Sequence, residues 1–263
     1  MELTDRVVIV TGAAHGIGAG LARRFVAEGA REVVVADLDG DAAEALAKEL
    51  GPVAVPARAD VTVEADTQRL VDGTLSRHGH IDLFCANAGI TSGAGTDATD
   101  EQWDRTWSVN VLSHVYAARA VLPSMLARGS GYFLATCSAA GLLTSVDDAP
   151  YAVTKHAAVA HAEWLSIHYG DRGIRVSALC PQGVDTRMLR DGLEVGHRGA
   201  KVTAASGAVL PVERVVDAVV AGLAVEEFLI LPHPEVAKYE RHRAADRERW
   251  LAGMRTLAAR AEG

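Results

Sequence analysis

The chain has 263 residues, enough to bury a large core without a disulfide or a metal ion to hold it together. Apolar residues make up 49% and charged residues 23% of the sequence, a balance that excludes intrinsic disorder. The formal net charge of −8 disfavours nucleic acid and anionic membrane surfaces as partners.

Short apolar runs and longer helical segments alternate along the chain. Seven runs rich in β-branched residues are predicted as strands, at residues 7–10, 32–36, 53–57, 81–85, 132–137, 174–179 and 228–231. The predicted helices lie at residues 21–28, 41–50, 63–77, 100–128, 150–169 and 212–225. Asp100 is the expected N-cap of the long helix that begins there.

The strand runs are apolar throughout and do not alternate with polar residues, which indicates strands buried on both faces. Helical connections between such strands require parallel pairing. We therefore predict a Rossmann-type α/β fold, a doubly wound, seven-stranded parallel sheet with helices on both faces. No composition break or internal repeat divides the sequence, so residues 1–263 are predicted to form one domain.

A glycine-rich turn follows the first predicted strand, with the sequence Thr-Gly-Ala-Ala-His-Gly-Ile-Gly at positions 11–18. Its spacing is Gly-x-x-x-Gly-x-Gly, and Leu21 stands where the Gly-x-Gly-x-x-Gly fingerprint has its last glycine. A glycine turn before a helix suits a pyrophosphate, because glycine permits close backbone approach and the helix offers free N–H groups. The predicted cofactor contacts here are Gly12, Ala14, His15, Gly16, Ile17 and Gly18.

An acidic residue follows the second predicted strand. Asp37 lies 19 positions after Gly18, close to the roughly 20 that separate the glycine turn from the carboxylate that binds the adenosine ribose. Such a carboxylate repels a 2′-phosphate. Leu38 follows it, no arginine is placed to neutralise the repulsion, and His15 is a weak candidate for a cation near the phosphate. The predicted cofactor is NAD, with Asp37 and Leu38 among its contacts; an Asp37 that merely caps the next helix is the alternative.

Three polar side chains are placed to act together. Tyr151 and Lys155 are four residues apart at the start of a predicted helix, so both lie on one face. Ser138 closes the fifth predicted strand, at the carboxyl edge where open α/β sheets bind ligands. With these residues the sequence resembles the short-chain dehydrogenase/reductase family, in its NAD-preferring branch, over nearly its whole length. The matching motifs are residues 11–18, Asp60-Val61, Asn87-Ala88-Gly89, Asn110, Ser138, Tyr-x-x-x-Lys at 151–155 and residues 181–186.

The resemblance implies an NAD-dependent alcohol dehydrogenase or ketone reductase. In that family's terms Tyr151 is the general acid and base, Lys155 holds the nicotinamide ribose and Ser138 hydrogen-bonds the substrate oxygen. Asn110 would anchor a water molecule that relays protons from Lys155. The further implied cofactor contacts are Asp60, Val61, Asn87, Ala88, Gly89, Pro181, Gly183, Val184 and Thr186. A homodimer or homotetramer built on helices 100–128 and 150–170 is also implied.

The sequence departs from the family pattern at two positions. Ala86 replaces the asparagine that often opens the Asn-Asn-Ala-Gly motif, and Gln182 stands between Pro181 and Gly183. The first change leaves Asn87 in place. The second puts in doubt the backbone contacts that the loop makes with the cofactor.

Electrostatics supports the tyrosine and lysine roles. A tyrosine has a pKa of about 10 and is a poor base at neutral pH. A lysine cation about 4 Å away, at an effective dielectric constant of about 20, contributes roughly 4 kcal/mol, or about three pKa units. We therefore expect Lys155 to bring the pKa of Tyr151 towards neutrality, as general acid and base catalysis favours.

Two segments outside these motifs bear on the substrate. Residues 185–211 carry Met188, Leu189, Leu193 and Val195 among glycines, which suits a mobile apolar lid and a bulky apolar secondary alcohol or ketone as substrate. Residues 234–263 are predicted as a helical extension. Its apolar stripe consists of Trp250, Leu251, Met254, Leu257 and Ala258, and is expected to pack on its own domain or a sister subunit.

The fold is also compatible with other functions and substrates. A nucleotide-sensing regulator of the same fold need not carry Ser138, Tyr151 and Lys155 together, whereas a dihydrodiol or acyl-thioester substrate is compatible with them. No metal site is predicted, since His156, His161 and His168 have no carboxylate to complete a ligand set.

The cysteines and the absence of targeting signals bear on location. Cys85, Cys137 and Cys180 form no Cys-x-x-Cys pair and are expected to be reduced core thiols. The sequence shows neither a signal peptide nor an apolar stretch approaching the roughly 18 residues that a membrane span needs. We therefore predict a cytoplasmic protein.

Overall fold

The apolar runs pair as parallel strands of one sheet, which confirms the predicted Rossmann-type architecture. The computed structural model describes residues 1–260 of the chain. The strands are β1 (Val7–Thr11), β2 (Glu32–Asp37), β3 (Ala54–Arg58), β4 (Leu83–Ala86), β5 (Gly131–Thr136), β6 (Ile174–Leu179) and β7 (Leu229–Ile230). Their order in the sheet is β3-β2-β1-β4-β5-β6-β7, so the chain reverses its direction of winding between β1 and β4.

Helices cover both faces of this sheet. They are α1 (Gly16–Ala27), α2 (Gly40–Leu50), α3 (Glu64–His78), α4 (Asp100–Trp107), α5 (Ser113–Arg128), α6 (Ala140–Leu143), α7 (Ala149–Tyr169), α8 (Arg187–Glu194), α9 (Arg198–Ala205), α10 (Val212–Ala224), α11 (Glu235–Ala245) and α12 (Arg247–Arg260). A π-helical turn, Ser108–Leu112, joins α4 to α5, and a 3₁₀ turn, Gly170–Arg172, follows α7.

The hydrophobic core has two layers, one on each face of the sheet. Helices α3, α5 and α7 cover the first layer, in which Phe84 of β4 stacks on Phe133 of β5 with ring centroids 6.0 Å apart. Helices α1, α2 and α10 cover the second, in which Phe25 of α1 packs with Leu134 of β5. Because both faces are covered, β1, β4 and β5 consist of buried residues only, as their uninterrupted apolar sequences predicted. The three cysteines are free and buried, as expected.

The predicted long helix at residues 100–128 is interrupted. The π-helical turn inserts an extra residue into the helical winding, and it contains Asn110. The expected cap at Asp100 was wrong by one residue. Thr99 is the N-cap, because its side chain accepts a hydrogen bond from the backbone N–H of Gln102 and the Gln102 side chain accepts one from the Thr99 N–H.

The ends of several strands also differ from the prediction. β3 and β4 lie one or two residues later than expected, and β5 ends at Thr136, so that Ser138 follows the strand by two residues and lies just before α6. Helix α6 was not predicted, since four residues are too few to carry a periodic signal. The short β7 pairs only with β6.

The segments after β6 are more regular than predicted. Residues 185–211 fold into α8 and α9 and are closed by a bridge between Val184 and Leu210. The predicted extension at 234–263 forms α11 and α12, and its last three residues, 261–263, lie outside the described residues. Within residues 1–260 no helix has the length and apolar character to cross a membrane.

We predict that Phe133→Ala destabilises the fold strongly. Phe133 is fully buried between two helical layers, and removing a buried phenyl ring costs about 3–5 kcal/mol. The melting temperature should fall by about 10 °C in differential scanning calorimetry. Val225→Ala is the control, because Val225 is 73% exposed and should change the melting temperature by no more than about 2 °C. Equal shifts for both variants would contradict the assigned core.

Candidate active site

The loops that follow β1, β4, β5 and β6 enclose a cleft at the carboxyl edge of the sheet. Its cavity of about 1830 Å³ exceeds the volume usual for a single small ligand. The predicted site residues that line it are Gly12, His15, Gly16, Ile17, Gly18, Asp37, Leu38, Asp60, Val61, Asn87, Ala88, Gly89, Ser138, Tyr151, Lys155, Pro181, Gly183, Val184 and Thr186. Two predicted residues, Ala14 and Asn110, do not line it. The structure therefore brings nearly all of the predicted site into one cavity.

The glycine turn is compact because Asn87 fastens it. The Asn87 side-chain N–H₂ donates to the carbonyl oxygens of Thr11 and Gly12, at 3.0 and 3.2 Å. A Cβ atom at Gly18 would lie 2.1 Å from the Gly12 carbonyl oxygen, and one at Gly12 would lie 2.8 Å from Cα of Ala88. Gly12 also has a positive φ of 62°. Only glycine fits these positions, and the turn leaves an open cradle before α1 that suits a pyrophosphate.

Asp37 lies at the end of β2, beside this cradle. Its carboxylate accepts hydrogen bonds from the backbone N–H groups of Ala14 (2.9 Å) and Asp39 (3.0 Å). Ala14 thus contributes by orienting Asp37. His15 stands at the rim, with its Nε2 3.9 Å from the Asp39 carboxylate. Two partly exposed carboxylate oxygens facing the cleft fit a ribose diol.

One expectation about this region was wrong. No arginine was expected near Asp37, but the strand register pairs Asp37 with Arg58 of β3. The Arg58 guanidinium donates to the carbonyl oxygen of Leu38 at 3.4 Å, and its stem lies against Gly40. The sequence does not indicate that Arg58 lies close to Asp37, because 20 residues separate the two and only the pairing of β2 with β3 brings them together. Arg58 therefore lies near the end of β2, although it is not among the described residues that line the cavity.

Ser138 and Tyr151 both line the cavity. Ser138 is 8% exposed and its Oγ accepts a hydrogen bond from the backbone N–H of Ala140 at 3.1 Å. Burial raises the pKa of Tyr151 to about 12, and the hydrogen bond from Ser138 opposes that increase. The Tyr151 hydroxyl therefore keeps its proton at neutral pH.

Lys155 is buried beside Tyr151. Its Nζ donates to the carbonyl oxygen of Thr136 at 2.9 Å and lies 5.7 Å from the centre of the Tyr151 ring. Lys155 is 3% exposed, and burial lowers its own pKa. The expected fall in the pKa of Tyr151 towards neutrality is therefore not found, because the cost of burying the phenolate exceeds the help from a cation at this distance.

Asn110 lies behind the cavity wall and is completely buried. Its Oδ1 accepts from the Ile90 N–H, and its Nδ2 donates to the Ile90 carbonyl and to Oγ1 of Thr154. A Cβ atom at Gly89 would lie 3.3 Å from Nζ of Lys155 and 3.4 Å from Oδ1 of Asn110. The π-helical turn thus places Asn110 where it fixes the loop after β4, close to Lys155.

Asp148, which belongs to none of the predicted motifs, organises the start of α7. Its carboxylate is 4% exposed and accepts four hydrogen bonds, from Ser92 N (3.1 Å), Ser92 Oγ (2.6 Å), Gly93 N (2.9 Å) and Tyr151 N (3.0 Å). Asp148 is therefore the N-cap of α7 and fastens that helix to the loop after β4. An aspartate three residues before Tyr151, at the start of a predicted helix, was the available signal.

The C-terminal helices close the far side of the cavity. Trp250, Met254 and Leu257 of α12 line it and are half-buried, whereas Leu251 on the same helix is 42% exposed. Three residues of the predicted apolar stripe thus line the cavity, whereas Leu251 lies at the surface. Helix α9 forms the neighbouring wall, and an ion pair between Arg198 and Asp147 fastens it to the loop before α7.

The chain matches known proteins over most of its length. The family model described as short chain dehydrogenase matches residues 6–194. The sex determination protein tasselseed-2 of Zea mays is 38% identical over 207 residues, which cover 76% of this chain and 61% of the maize protein. The chain thus spans less than two thirds of that relative.

Two further comparisons agree with the family model. The 1-deoxy-11-beta-hydroxypentalenate dehydrogenase of Streptomyces exfoliatus is 39% identical over 197 residues, covering 72% of this chain and 71% of the relative. A crystal structure of a short chain dehydrogenase/reductase from Burkholderia phymatum in complex with NAD superposes with a TM-score of 0.86 at 27% identity, covering 94% of this chain and 96% of the other. Residues 195–260, which include α9 to α12, lie beyond the family-model match.

We predict that Asp148→Ala destabilises the protein by about 3 kcal/mol, because buried donors lose their acceptor and α7 loses its cap. Thermal unfolding followed by circular dichroism measures the change. Asp97→Ala is the matched control in the loop after β4 that Asp148 holds, since Asp97 is exposed and, within residues 1–260, its side chain accepts only from Gly95 N. If the two variants melt at the same temperature, Asp148 does not fasten this part of the site.

Proposed function

The chain belongs to the short-chain dehydrogenase family, and from that premise we propose that it is an NAD(H)-dependent oxidoreductase acting on a bulky apolar secondary alcohol or the corresponding ketone. One observation carries the proposal: Ser138, Tyr151 and Lys155 share a cavity with the glycine turn and Asp37. A regulator that only bound a nucleotide would not need this catalytic group. NAD bound to the similar Burkholderia phymatum protein supports the choice of cofactor.

The residues present fit a dinucleotide. The turn at residues 11–18 would hold the pyrophosphate, Asp37 and Leu38 the adenosine ribose, and Asp60 with Val61 the adenine. The loop residues Asn87, Ala88 and Gly89 would border the cofactor from β4, and Pro181, Gly183, Val184 and Thr186 from β6. Thr186 stands opposite the glycine turn, since a Cβ atom at Gly16 would lie 3.4 Å from its methyl group. When bound, the nicotinamide would supply the hydride acceptor or donor.

The proton chemistry falls to Tyr151. Its raised pKa means that the hydroxyl is protonated at neutral pH, as donation to a ketone oxygen requires. Ser138, already hydrogen-bonded to that hydroxyl, would hold the substrate oxygen beside it. In the oxidative direction Tyr151 must first lose its proton, so oxidation should be favoured by high pH. Lys155 would contact the nicotinamide ribose, and Asn110 would keep the loop after β4 close to Lys155.

The wall opposite Tyr151 supports an apolar substrate. Leu189 of α8 and Val202 of α9 line the cavity together with Trp250, Met254 and Leu257 of α12. Burying a large apolar body against these side chains would contribute about 25 cal/mol for each Å² removed from water. The name of the Streptomyces exfoliatus relative, a dehydrogenase of a hydroxypentalenate, is consistent with an alcohol of this kind.

We further propose that the protein self-associates as a homodimer or homotetramer. Helix α7, one of the two segments expected at the interface, leaves Val153 47%, Trp164 53% and Ile167 85% exposed. Large apolar side chains concentrated on one helix are typical of a contact surface.

We expect Tyr151→Phe to abolish turnover while cofactor binding persists. Loss of the acid and base should lower kcat by about 10²–10⁴-fold, and NADH formation at 340 nm over a panel of alicyclic and aromatic secondary alcohols measures it. Titration with NADH, followed by its fluorescence, is the control for an intact cofactor site. Turnover that persists within tenfold of wild type would refute the role of Tyr151. A wild-type protein that binds NADH but converts none of these alcohols would favour the regulator.

We expect Met254→Ala and Trp250→Ala to shift the preference away from large substrates. Each removes apolar surface that lines the cavity, so the ratio of kcat/KM for 1-tetralol to that for propan-2-ol should fall about tenfold. Leu251→Ala is the control on the same helix, because its side chain is exposed and does not line the cavity. If this ratio of kcat/KM values changes equally in all three variants, α12 acts only by supporting the fold.

A further inference from the structure

The side-chain amide of Gln182 has no hydrogen-bond partner within residues 1–260. Gln182 lines the cavity, and its Oε1 is buried without an acceptor bond. Buried polar atoms in folded proteins are rarely left unpaired, because the loss of hydrogen bonds to water is then not compensated. The family pattern that this chain resembles has no side chain of this kind after the proline. The amide therefore has hydrogen-bonding capacity that a ligand in the cavity could use.

The backbone that carries this amide is firmly held. The Pro181 carbonyl accepts a hydrogen bond from the N–H of Ala139 at 2.8 Å, which ties the loop to the residue after Ser138. The Gln182 N–H donates to Nδ1 of His233 at 3.1 Å, and His233 is 1% exposed. The amide thus starts from a fixed point next to the reacting centre.

His233 also fixes the other side of this loop. Because its Nδ1 accepts a hydrogen bond from the Gln182 N–H, its Nε2 carries the hydrogen, and this nitrogen lies 3.1 Å from the carbonyl oxygens of both Gly183 and Ala208. The single imidazole joins residues 182–183 to the segment before α10. Because the backbone at Gln182 is held in place, ordering its side-chain amide on a ligand costs little conformational entropy, which favours specific recognition.

The surroundings of the amide allow it to donate or to accept. Gln182 Oε1 and Glu235 Oε1 both approach Gly207, where a Cβ atom would lie 3.4 and 3.0 Å from them. Rotating the amide by 180° occupies the same volume and would turn its N–H₂ group towards the Glu235 carboxylate, with the oxygen left for a ligand. A hydroxyl group, which donates and accepts, matches either orientation.

We propose, building on the proposed function, that Gln182 is a specificity-determining residue that hydrogen-bonds a second oxygen on the carbon next to the reacting carbon. The substrate class is then a cyclic, largely apolar vicinal diol or α-hydroxy ketone. Ser138 and Tyr151 hold the reacting oxygen, and Gln182 holds its neighbour across the short link from Ala139 to Pro181. The apolar walls of α9 and α12 accommodate the ring.

The test compares two substrates that differ by one hydroxyl, 1-indanol and 1,2-indanediol. Wild-type protein should convert the diol with a kcat/KM at least tenfold higher than that of the mono-alcohol, as NADH formation measures. Gln182→Met keeps the length of the side chain but cannot form the bond, so this preference should fall at least tenfold. Gln182→Gly is the second variant, which cannot clash, and should lose the preference as well.

Other results would overturn the assignment. If both variants lose activity equally on the two substrates, Gln182 only supports the loop. If wild type converts both substrates without preference, the proposed function stands and Gln182 does not select a second oxygen. Isothermal titration calorimetry, with 1,2-indanediol added to the protein loaded with NADH, measures the same contact without turnover. Tighter binding to wild type than to Gln182→Met supports the assignment even if 1-indanol is not oxidised, and equal binding overturns it.

Discussion

The hydrogen bonds of Asn87 are the constraint on which the rest of the site depends. One amide binds the carbonyl oxygens of Thr11 and Gly12 through its nitrogen and accepts a bond from Oγ1 of Thr136 (3.1 Å) through its oxygen. It thereby joins the carboxyl ends of β1, β4 and β5 at fixed distances. The Thr136 carbonyl in turn holds Nζ of Lys155. A single side chain thus sets the spacing between the glycine turn and Lys155.

The strands and the order of the motifs could be predicted from the sequence because their signals are local. Strands buried on both faces need continuous apolar runs, and the glycine turn needs residues without a Cβ atom wherever the backbone folds on itself. The Arg58 side chain could not be placed, since its position beside Asp37 depends on the pairing of β2 with β3. The pKa of Tyr151 was also misjudged, because it depends on burial and on the direction taken by Lys155, neither of which the four-residue spacing determines.

The proposed reacting groups and the apolar side chains of α9 and α12 come from different elements of the cavity wall. The loops after β4, β5 and β6 contribute Asn87, Ser138 and Gln182, whereas α9 contributes Val202 and α12 contributes Trp250, Met254 and Leu257. The π-helical turn supports the loop after β4, because it places Asn110 where it can hold Ile90 through two hydrogen bonds. In the proposed function, the sheet edge would therefore carry the reaction chemistry, and α9 and α12 would contact the apolar part of the substrate.

This separation in space is also a separation along the chain. The last of the proposed cofactor contacts, Thr186, precedes α8, and the helices that form the apolar wall all follow it. Substitutions after that point can change which molecule is accepted while the dinucleotide half stays intact. Gene duplication followed by divergence of the final third of the coding sequence would then be enough to produce a new specificity, and related proteins should differ most in that third.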